Sequence, residues 1–343
     1  MNYITKTIEL KKFLVDIHHA EFIGMDCEFM RRNTYCPVPS LIQLATKEQS
    51  AVIDLITLED ASALFKFLNS SESIFILHGA EQDFEIFADL NIKLKKFVDT
   101  QIALTISGHA MQTALEKALE SELAIMIDKR LQTTDWSIRP LSSEKINYAL
   151  SDTLHLIDLY QCLEKKLKNL GKFNWLIEDS MLLQGNQLNG YIYKFFCKAL
   201  TSKKSSEVNF ENLITLLCAR ELKAMETNKP RQWIMSDKEL RLNSKNDVRA
   251  ITTDSKELLE LQNFYLSQFN KIKASATVPT RKLEKKEEKL NALIKDFALK
   301  HNIVKEFIAS NFEVKAFLLN IPTSRVQASW RIGLLSDLAL RAQ

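Results

Sequence analysis

Apolar and polar residues alternate most regularly in the segment Glu21–Phe29, which reads E-F-I-G-M-D-C-E-F. Every second residue from Ile23 onward is apolar, and this period of two predicts a β-strand. The other face of the strand carries Asp26 and Glu28. Because alternate side chains of a strand point to the same side of a sheet, the two carboxylates must lie next to each other on one face.

The rest of the first hundred residues mixes short apolar runs with helical spacing, and this order predicts an α/β fold. The two runs directly after the first strand are short and bounded by polar residues, as in an antiparallel meander. The predicted elements are strands at Leu41–Ala45 and Ala51–Leu55, a helix at Leu58–Leu68, a strand at Ile74–Leu77, a helix at Glu81–Leu90 and a strand at Phe97–Asp99.

The remainder of the chain has an almost entirely helical pattern, and seven glycines and six prolines in 343 residues also favour helices. The spacing predicts a helix at Met111–Leu119 and one long amphipathic helix at Ser142–Leu167, with Ser142 as its N-cap. The polar segments Thr201–Ser206 and Lys273–Thr280 predict linkers. The back half is therefore predicted to consist of separate helical units.

Charge is divided unevenly along the chain. Residues 1–170 contain 18 Lys and Arg against 24 Asp and Glu, a net charge of −6, whereas residues 171–343 contain 28 against 19, a net charge of +9. This asymmetry favours a catalytic or cation-binding front half joined to a back half that binds polyanions. A neutral drift in composition is the alternative.

The overall composition, with 46% hydrophobic and 26% charged residues, is typical of a globular protein with two or three domains. The first twelve residues lack the apolar core of a secretory signal, and no apolar run approaches the roughly 18 residues of a membrane span. Five cysteines without a Cys-x-x-Cys pair argue against a structural zinc site. We therefore expect a cytoplasmic protein with no membrane partner, and no obligate protein partner is evident.

Three further residues complete a candidate catalytic set with Asp26 and Glu28. Asp83 falls in the first turn of a predicted helix directly after a buried strand, where α/β active sites open. Tyr148 and Asp152 are four residues apart and share one helix face. Paired carboxylates repel each other unless a cation neutralises them, although acids on an exposed strand can also be simply solvated.

Four carboxylates without a His or Cys cluster suit two hard divalent cations, Mg²⁺ or Mn²⁺, better than zinc. Two such ions about 3.5–4 Å apart support in-line phosphoryl transfer, in which one ion activates water and the other stabilises the leaving oxygen. The predicted substrate is therefore a phosphodiester.

The order, spacing and flanks of these residues resemble the ribonuclease D family of DEDD exonucleases, which have a tyrosine in their third motif. One departure is Cys27, where the family has a small hydroxyl residue, and we expect its thiol not to touch the acids. The resembling segments are M-D-C-E-F-M-R-R-N-T-Y at Met25–Tyr35, L-I-Q-L-A at Leu41–Ala45, L-H-G-A-E-Q-D-F-E-I-F at Leu77–Phe87, V-D-T-Q-I-A at Val98–Ala103, D-W-S-I-R-P-L at Asp135–Leu141 and Y-A-L-S-D at Tyr148–Asp152.

The resemblance extends past the catalytic half. Glu221–Leu240 is similar to the HRDC module, whereas F-I-A-S-N at Phe307–Asn311 and S-W-R at Ser329–Arg331 match a second, more divergent module weakly. The implied domains are a ribonuclease H-like, DnaQ-like α/β nuclease with a mixed sheet at 1–170, a helical connector at 171–205, an HRDC domain at 206–276 and an HRDC-like helical domain at 281–343.

The family pattern also implies a role for each site residue. Asp26 bridges two divalent cations, Mg²⁺ or Mn²⁺, and Glu28 and Asp152 complete the first of them. Asp83 supports the second, partly through water. Tyr148 orients the attacking water, since a phenol that titrates near pH ~10 is a better hydrogen-bond partner than base.

The implied activity is 3′-to-5′ trimming of RNA with a free 3′ end, typically transfer RNA precursors, with release of nucleoside 5′-monophosphates. Each residue that could contact this RNA has an ordinary alternative. For an arginine it is a surface ion pair, and for the histidine it is a buried hydrogen bond. We also expect Trp136 to support the third motif and Trp233 to lie in a core, with stacking on a nucleotide as the alternative for each. The candidate RNA-binding residues are Arg31, Arg32, His78 and Arg139.

Two other functions stay open. A DNA 3′-exonuclease would use the same five residues, because the cations act on phosphate and ignore the sugar. A nucleic-acid-binding adaptor with a vestigial nuclease site belongs to a different class. The intact set of four acids and Tyr148 argues against the adaptor, since unused like charges bring no structural benefit.

Overall fold

A computed structural model describes residues 2–127, 134–185, 187–201, 208–246, 248, 255–275, 281–321, 325–326 and 329–342. The chain forms two compact units. The sheet unit comprises Met1–Arg32, Cys36–Gly185 and Asn302–Val304, and the helical unit comprises Asn33–Tyr35, Asn186–His301 and Lys305–Gln343. The finer division into a nuclease, a connector and two helical modules stays a prediction.

The sheet unit is built on a six-stranded mixed sheet. Its strands are β1 Asn2–Ile4, β2 Phe22–Met30, β3 Val38–Ala45, β4 Ser50–Asp54, β5 Ile74–Leu77 and β6 Phe97–Asp99. They lie in the order β1-β4-β3-β2-β5-β6, with β2, β3 and β4 antiparallel and the other pairs parallel. The predicted meander is thus confirmed, whereas β1 has only three residues and is too short to reveal a period of two.

Helices surround this sheet, and three predictions about them need correction. The helix predicted at Leu58–Leu68 begins only at Ser62. The long helix predicted at Ser142–Leu167 is two helices, which change direction at His155 (φ −107°, ψ 2°). The helix predicted from Met111 begins only at Leu115. The helices are α1 Thr7–Asp16, α2 Ser62–Ser70, α3 Glu81–Asp89, α4 Thr100–Ser107, α5 Leu115–Leu123, α6 Ser143–Leu154, α7 Leu156–Asn169 and α8 Phe173–Met181, followed by a 3₁₀ turn at Leu182–Gln184.

The break at His155 lets the two helices pack on different partners. α6 packs on β2, β3 and β4, whereas α7 packs on α4, α5 and the β2 and β5 strands. Apolar spacing continues through the junction, so the sequence pattern alone shows one helix where the structure has two. The predicted N-cap is confirmed, because the Ser142 side chain accepts a hydrogen bond from the Lys145 backbone N–H at 3.3 Å.

Each face of the sheet has its own apolar core. Ile42 and Leu44 of β3 point to the larger core, which also contains apolar residues of α1, α2 and α3. Leu41 points to the opposite face, where it packs with Trp136 and Tyr148 under α6. This alternation along β3 places the carboxylates of β2 on the α6 side, because Glu28 pairs directly with Leu41.

The helical unit consists entirely of helices in its described part. Apolar residues of α9, α10, α13 and α16 form its main core. None of the described helices is both long and apolar enough to span a bilayer. The helices are α9 Gln187–Leu200, α10 Phe210–Thr227, α11 Arg231–Ile234, α12 Asp237–Asn243, α13 Lys256–Ser275, α14 Arg281–Lys300, α15 Lys305–Ile308, α16 Asn311–Leu318 and α17 Ser329–Arg341.

The predicted linkers fall largely outside the described residues. At Thr201–Ser206 only the first residue is described, and residues 276–280 of the second segment are likewise outside the described ranges. The first three residues of Lys273–Thr280 belong to α13. Whether the two segments are linkers therefore stays a prediction.

A buried ionic network lies inside the helical unit. The Glu221 carboxylate is fully buried and accepts hydrogen bonds from the Tyr35 hydroxyl and from Arg231 Nε, each at 3.0 Å. A terminal guanidinium nitrogen of Arg220 lies 3.3 Å from the other carboxylate oxygen. The protein itself therefore neutralises this carboxylate.

Trp233 was expected in a core, and this expectation is wrong. Its side chain is 61% exposed on the four-residue helix α11. Arg231 on the same helix stacks its guanidinium on Tyr191, 4.1 Å from the ring centroid, and so takes the inward position.

Candidate active site

Three acidic side chains converge on the α6 side of the sheet. Asp26 and Glu28 come from β2 and Asp152 comes from α6, and one carboxylate oxygen of each lies within 4.8 Å of the others. All three residues are half-buried. Carboxylate oxygens grouped in this way are the ligands that Mg²⁺ and Mn²⁺ prefer, so the donor set fits a hard divalent cation.

The approach of α6 to β2 depends on Gly24. The carbonyl oxygen of Thr153, near the end of α6, lies 2.7 Å from the point where a Cβ on Gly24 would stand. A backbone oxygen cannot move aside as a flexible side chain can, so a larger residue would push the helix away from the strand. Gly24 shares a strand face with Asp26, and its lack of a side chain lets α6 bring Asp152 close to that residue.

Crowding of like charges changes the protonation of Asp26. Burial raises the pKa of Asp26 well above its ordinary value, and the nearby charges of Asp83 and Glu28 raise it further. Asp152 acts in the same direction. A bound cation would offset this repulsion, so the electrostatics and the donor set agree.

Tyr148 lies one turn before Asp152 on α6 and is buried. Its ring stacks on the buried Trp136, with the ring centroids 6.0 Å apart and an interplanar angle of 30°. Burial raises the pKa of the Tyr148 phenol above its ordinary value, and the charges of Asp152 and Glu28 add to this effect. The phenol therefore keeps its proton at neutral pH and can donate a hydrogen bond.

Asp83 approaches the site from the first turn of α3 and is buried. Burial raises the pKa of Asp83 to about 7, and the charge of Asp99 adds to the rise. A hydrogen bond from the Cys27 thiol opposes it. The expectation that Cys27 does not touch the acids is therefore wrong: Cys27 points to the opposite face from Asp26, and Asp83 reaches that side of β2 from α3.

A turn after β5 fixes the start of α3 and was not identified from the sequence. The buried Asp99 carboxylate accepts hydrogen bonds from the backbone N–H groups of Gly79 at 3.0 Å and Ala80 at 2.9 Å. It also caps α4 through the Gln101 N–H at 2.7 Å. Gly79 has φ +69°, which favours glycine. The V-D-T segment was the available signal, since its aspartate precedes a helix.

Comparison with known proteins now connects this geometry to a family. A family model described as a 3′-5′ exonuclease matches residues 1–168. Ribonuclease D of Gluconacetobacter diazotrophicus is 30% identical over 239 residues, which are 69% of this chain and 61% of the relative. Ribonuclease D of Zymomonas mobilis is 32% identical over 241 residues, 69% of this chain and 62% of the relative. The chain is similar in sequence to ribonuclease D.

The match spans about three fifths of the length of these ribonuclease D relatives. Among solved structures, Escherichia coli RNase D, described as an exoribonuclease involved in structured RNA processing, has a TM-score of 0.76 at 20% identity. That comparison covers 99% of this chain and 97% of the other. The catalytic core of RRP6 from Trypanosoma brucei has a TM-score of 0.51 at 20% identity, over 76% of this chain and 73% of the other. The front half of the chain thus has the ribonuclease H-like exonuclease fold that was predicted for it.

The structure gives His78 a structural environment. One ring nitrogen, Nδ1, lies 2.9 Å from the Thr100 hydroxyl, and the other, Nε2, lies 2.9 Å from the Thr113 carbonyl oxygen. Both ring nitrogens are therefore occupied by protein groups. This arrangement favours a structural, hydrogen-bonded role for His78 over contact with RNA.

Arg139 lies in the third motif but does not face the acids. Its Nε and one terminal nitrogen each lie 2.6 Å from the buried Asp54 carboxylate, and its other terminal nitrogen donates to the Trp136 carbonyl at 2.7 Å. Burial alone would raise the pKa of Asp54, yet hydrogen bonds from Arg139 and Tyr3 hold it below its ordinary value. This arrangement favours a structural role for Arg139 over contact with RNA, because its guanidinium anchors the motif loop to β4.

Arg31 and Arg32 follow β2 directly and are exposed. Arg31 pairs with Glu85 of α3 at 2.8 Å, and the 66%-exposed side chain of Arg32 lies 3.4 Å from Asp135. Surface pairs of this kind are weak, so both guanidinium groups can exchange a carboxylate for a phosphate. They remain the candidates for RNA contact.

Glu116, in the first turn of α5, is a further acid near the site that sequence reasoning missed. Its charge contributes to the raised pKa of Tyr148. The sequence placed Glu116 in the middle of a helix that was predicted to begin at Met111. The sequence pattern therefore did not indicate that the Glu116 side chain lies near Tyr148 of the third motif.

Proposed function

We propose that this protein is a metal-dependent 3′-5′ exoribonuclease that hydrolyses the terminal phosphodiester of RNA and releases nucleoside 5′-monophosphates. The observation that carries the proposal is the group formed by Asp26, Glu28 and Asp152, with Tyr148 one helical turn away. The similarity to ribonuclease D relatives supports the same reaction class.

The residues proposed to hold two divalent cations come from this geometry together with the family pattern, since Asp83 lies outside the group formed by Asp26, Glu28 and Asp152. Glu28 and Asp152 would complete one site with Asp26, and Asp83 would support the second from the first turn of α3. When bound, Mg²⁺ or Mn²⁺ would supply a Lewis acid that activates water and stabilises the leaving oxygen. The protein's part is to keep the carboxylates together and oriented.

Tyr148 would position the water that attacks phosphorus. Its raised pKa keeps the phenol protonated, so its hydroxyl acts as a hydrogen-bond donor and acceptor and not as a strong base. Stacking on Trp136 holds the ring in one orientation. A fixed hydroxyl next to the carboxylates is the arrangement that orienting a nucleophile requires.

The proposed substrate is RNA with a free 3′ end, with transfer RNA precursors as its physiological form. Arg31 and Arg32 would contact phosphates near the scissile bond. The basic back half, with its HRDC-like modules, would bind the structured part of the RNA through its excess of Lys and Arg. We also infer a cytoplasmic location, where precursors of this kind are available.

Digestion of matched RNA and DNA strands tests the proposal. With Mg²⁺ present, a 5′-labelled single-stranded RNA should shorten one nucleotide at a time, and a 3′-labelled RNA should release labelled nucleoside 5′-monophosphate at once. Internal fragments at early times would contradict exonucleolytic cleavage. Faster loss of the DNA strand would favour the DNA exonuclease, and binding without any cleavage would favour the adaptor.

A further inference from the structure

Gln43 is a polar residue at the centre of the sheet. On one side it pairs directly with Asp26 of β2, and on the other with Val52 of β4. Residues directly opposite each other in an antiparallel pair project to the same face. The Gln43 side chain therefore shares its face with Asp26 and Glu28, beneath α6.

The surroundings of Gln43 are otherwise apolar. Leu41 and Val52 share that face with Gln43, and both belong to the small core that contains Tyr148 and Ala149. Gln43 itself has no exposed surface. Within the described part of the chain, neither its amide nitrogen nor its amide oxygen has a hydrogen-bond partner.

A buried amide without a partner is costly, and other glutamines of the sheet unit avoid this cost. Gln184 donates to the Leu94 carbonyl at 3.0 Å and accepts from the Leu94 N–H at 2.7 Å. Gln101 donates to the Thr113 carbonyl at 3.2 Å. A leucine or methionine at position 43 would fill the same space without this cost, so structure alone does not account for the amide.

We propose that Gln43 is a positioning residue for the metal-binding carboxylates, with its Nε2 donating a hydrogen bond to Asp26 when a divalent cation is bound. This inference rests on the proposed function. Directly opposed Cβ atoms are about 4.5–5.5 Å apart, and a glutamine side chain spans that distance. Each oxygen of a metal-binding carboxylate has a second lone pair, so the amide would hold Asp26 in place beside the cations, as hydrogen bonds commonly do for ligating carboxylates.

Gln43→Met separates this role from packing, because methionine has a similar volume and shape but cannot donate a hydrogen bond. Without metal, the variant should unfold at the same temperature as wild type or higher. Its Mn²⁺ affinity should fall about ten- to hundredfold, the range seen when a residue that orients a metal ligand is removed. The kcat on single-stranded RNA should fall, while KM should stay within about twofold.

Leu41→Met is the matched control, since Leu41 lies on the same face of β3 and pairs with Glu28. It should repack the same small core and leave Mn²⁺ affinity unchanged. Gln43→Leu provides a second apolar variant if Gln43→Met does not fold, and the same loss is expected from it. Calorimetric titration of Mn²⁺ into each full-length protein measures the affinities, and thermal unfolding measures stability.

The outcomes separate this inference from the function on which it rests. Wild-type Mn²⁺ affinity in Gln43→Met, together with RNA hydrolysis by the wild-type protein, would overturn the role of Gln43 and leave the nuclease intact. Equal losses in Leu41→Met would also overturn it, by making packing the cause. A wild-type protein that neither binds Mn²⁺ nor hydrolyses RNA would overturn both.

Discussion

Buried charge is arranged in opposite ways in the two units. In the helical unit, the Glu221 carboxylate meets the guanidinium groups of Arg220 and Arg231. In the sheet unit, the charges that most affect Asp26 are those of Asp83, Glu28 and Asp152, all of them acidic.

The difference distinguishes structural charge from functional charge. The charge of Glu221 is neutralised inside the protein, so removing one member leaves the remaining buried charges less well paired. The carboxylates around Asp26 repel each other, so removing one lowers the electrostatic repulsion in the folded state but weakens cation binding. Replacing an acid by its amide should therefore lower stability at Glu221 but leave it unchanged or raise it at Asp26.

Asp26→Asn should have the largest effect on catalysis. Turnover should fall at least a thousandfold, about 4 kcal/mol in the activation barrier, because Asp26 is the acid whose charge interacts with those of Asp83, Glu28 and Asp152. Unfolding temperature without metal should stay the same or rise, since a like charge is removed. Initial rates on labelled RNA and thermal unfolding measure both, and a residual rate above a tenth of wild type would contradict the role given to Asp26.

Glu221→Gln should have the largest effect on stability. We expect the free energy of unfolding to fall by about 3 kcal/mol, because Arg231 loses its carboxylate partner and the buried Arg220 keeps only its ion pair with Asp237. Glu226→Gln is the control, since Glu226 forms an exposed pair with Lys223 and should change stability by less than about 0.5 kcal/mol. Urea denaturation compares the two, and equal stability would contradict the structural reading of Glu221.

Tyr148→Phe should reduce kcat about a hundredfold, near 2.7 kcal/mol, because only the hydroxyl that positions the attacking water is removed. Calorimetric Mg²⁺ binding should be unchanged. Tyr160→Phe removes another buried hydroxyl of the sheet unit, one that donates to Glu164 at 2.9 Å, and should keep its activity. Loss of metal affinity in Tyr148→Phe would instead place the phenol among the ligands.

The stability of the metal-free protein should increase as pH falls from about 8 to 5. Asp83 has a pKa of about 7 in the folded chain, above the ~3.9 of an unfolded aspartate, so the folded state binds the additional proton in this range. The slope should not exceed about 1.4 kcal/mol per pH unit for this one group. Urea unfolding across this range should give a smaller slope for Asp83→Asn; an identical slope would assign the effect to other groups.

Arg32→Ala should have the smallest effect, a KM for RNA about threefold higher with kcat unchanged. The slope of log affinity against log salt should decrease in magnitude by roughly one, as expected for one lost phosphate contact. If Arg32→Ala leaves the salt slope unchanged, Arg32 does not contact phosphate.

Arg139→Ala should lower stability instead, because Asp54 would remain buried without its ion pair.

Strand periodicity predicted the central part of the fold and site. The alternation in Glu21–Phe29 placed Asp26 and Glu28 on one face, and the four-residue spacing placed Tyr148 and Asp152 on one helix face. The structure brings these two faces together. Local patterns suffice here because the period of each element fixes which side chains share a face.

Features that depend on contacts between distant segments could not be read from these patterns. The helix break at His155 follows from packing on two different sets of strands, and the close contact of Thr153 with Gly24 joins residues 129 positions apart. The hydrogen bonds from the turn after β5 to Asp99 likewise form only once β5 and β6 pair. The inward position of Arg231 in place of Trp233 is a further case.

The most direct test of the central claim is a calorimetric titration of Mn²⁺ into the full-length wild-type protein and Asp26→Asn at neutral pH. The account predicts saturable binding to wild type and a loss of affinity of at least a hundredfold in Asp26→Asn, while thermal unfolding shows that the variant remains folded. Equal affinity and stoichiometry in the two proteins would show that the carboxylates around Asp26 do not hold the cation, and would contradict the account.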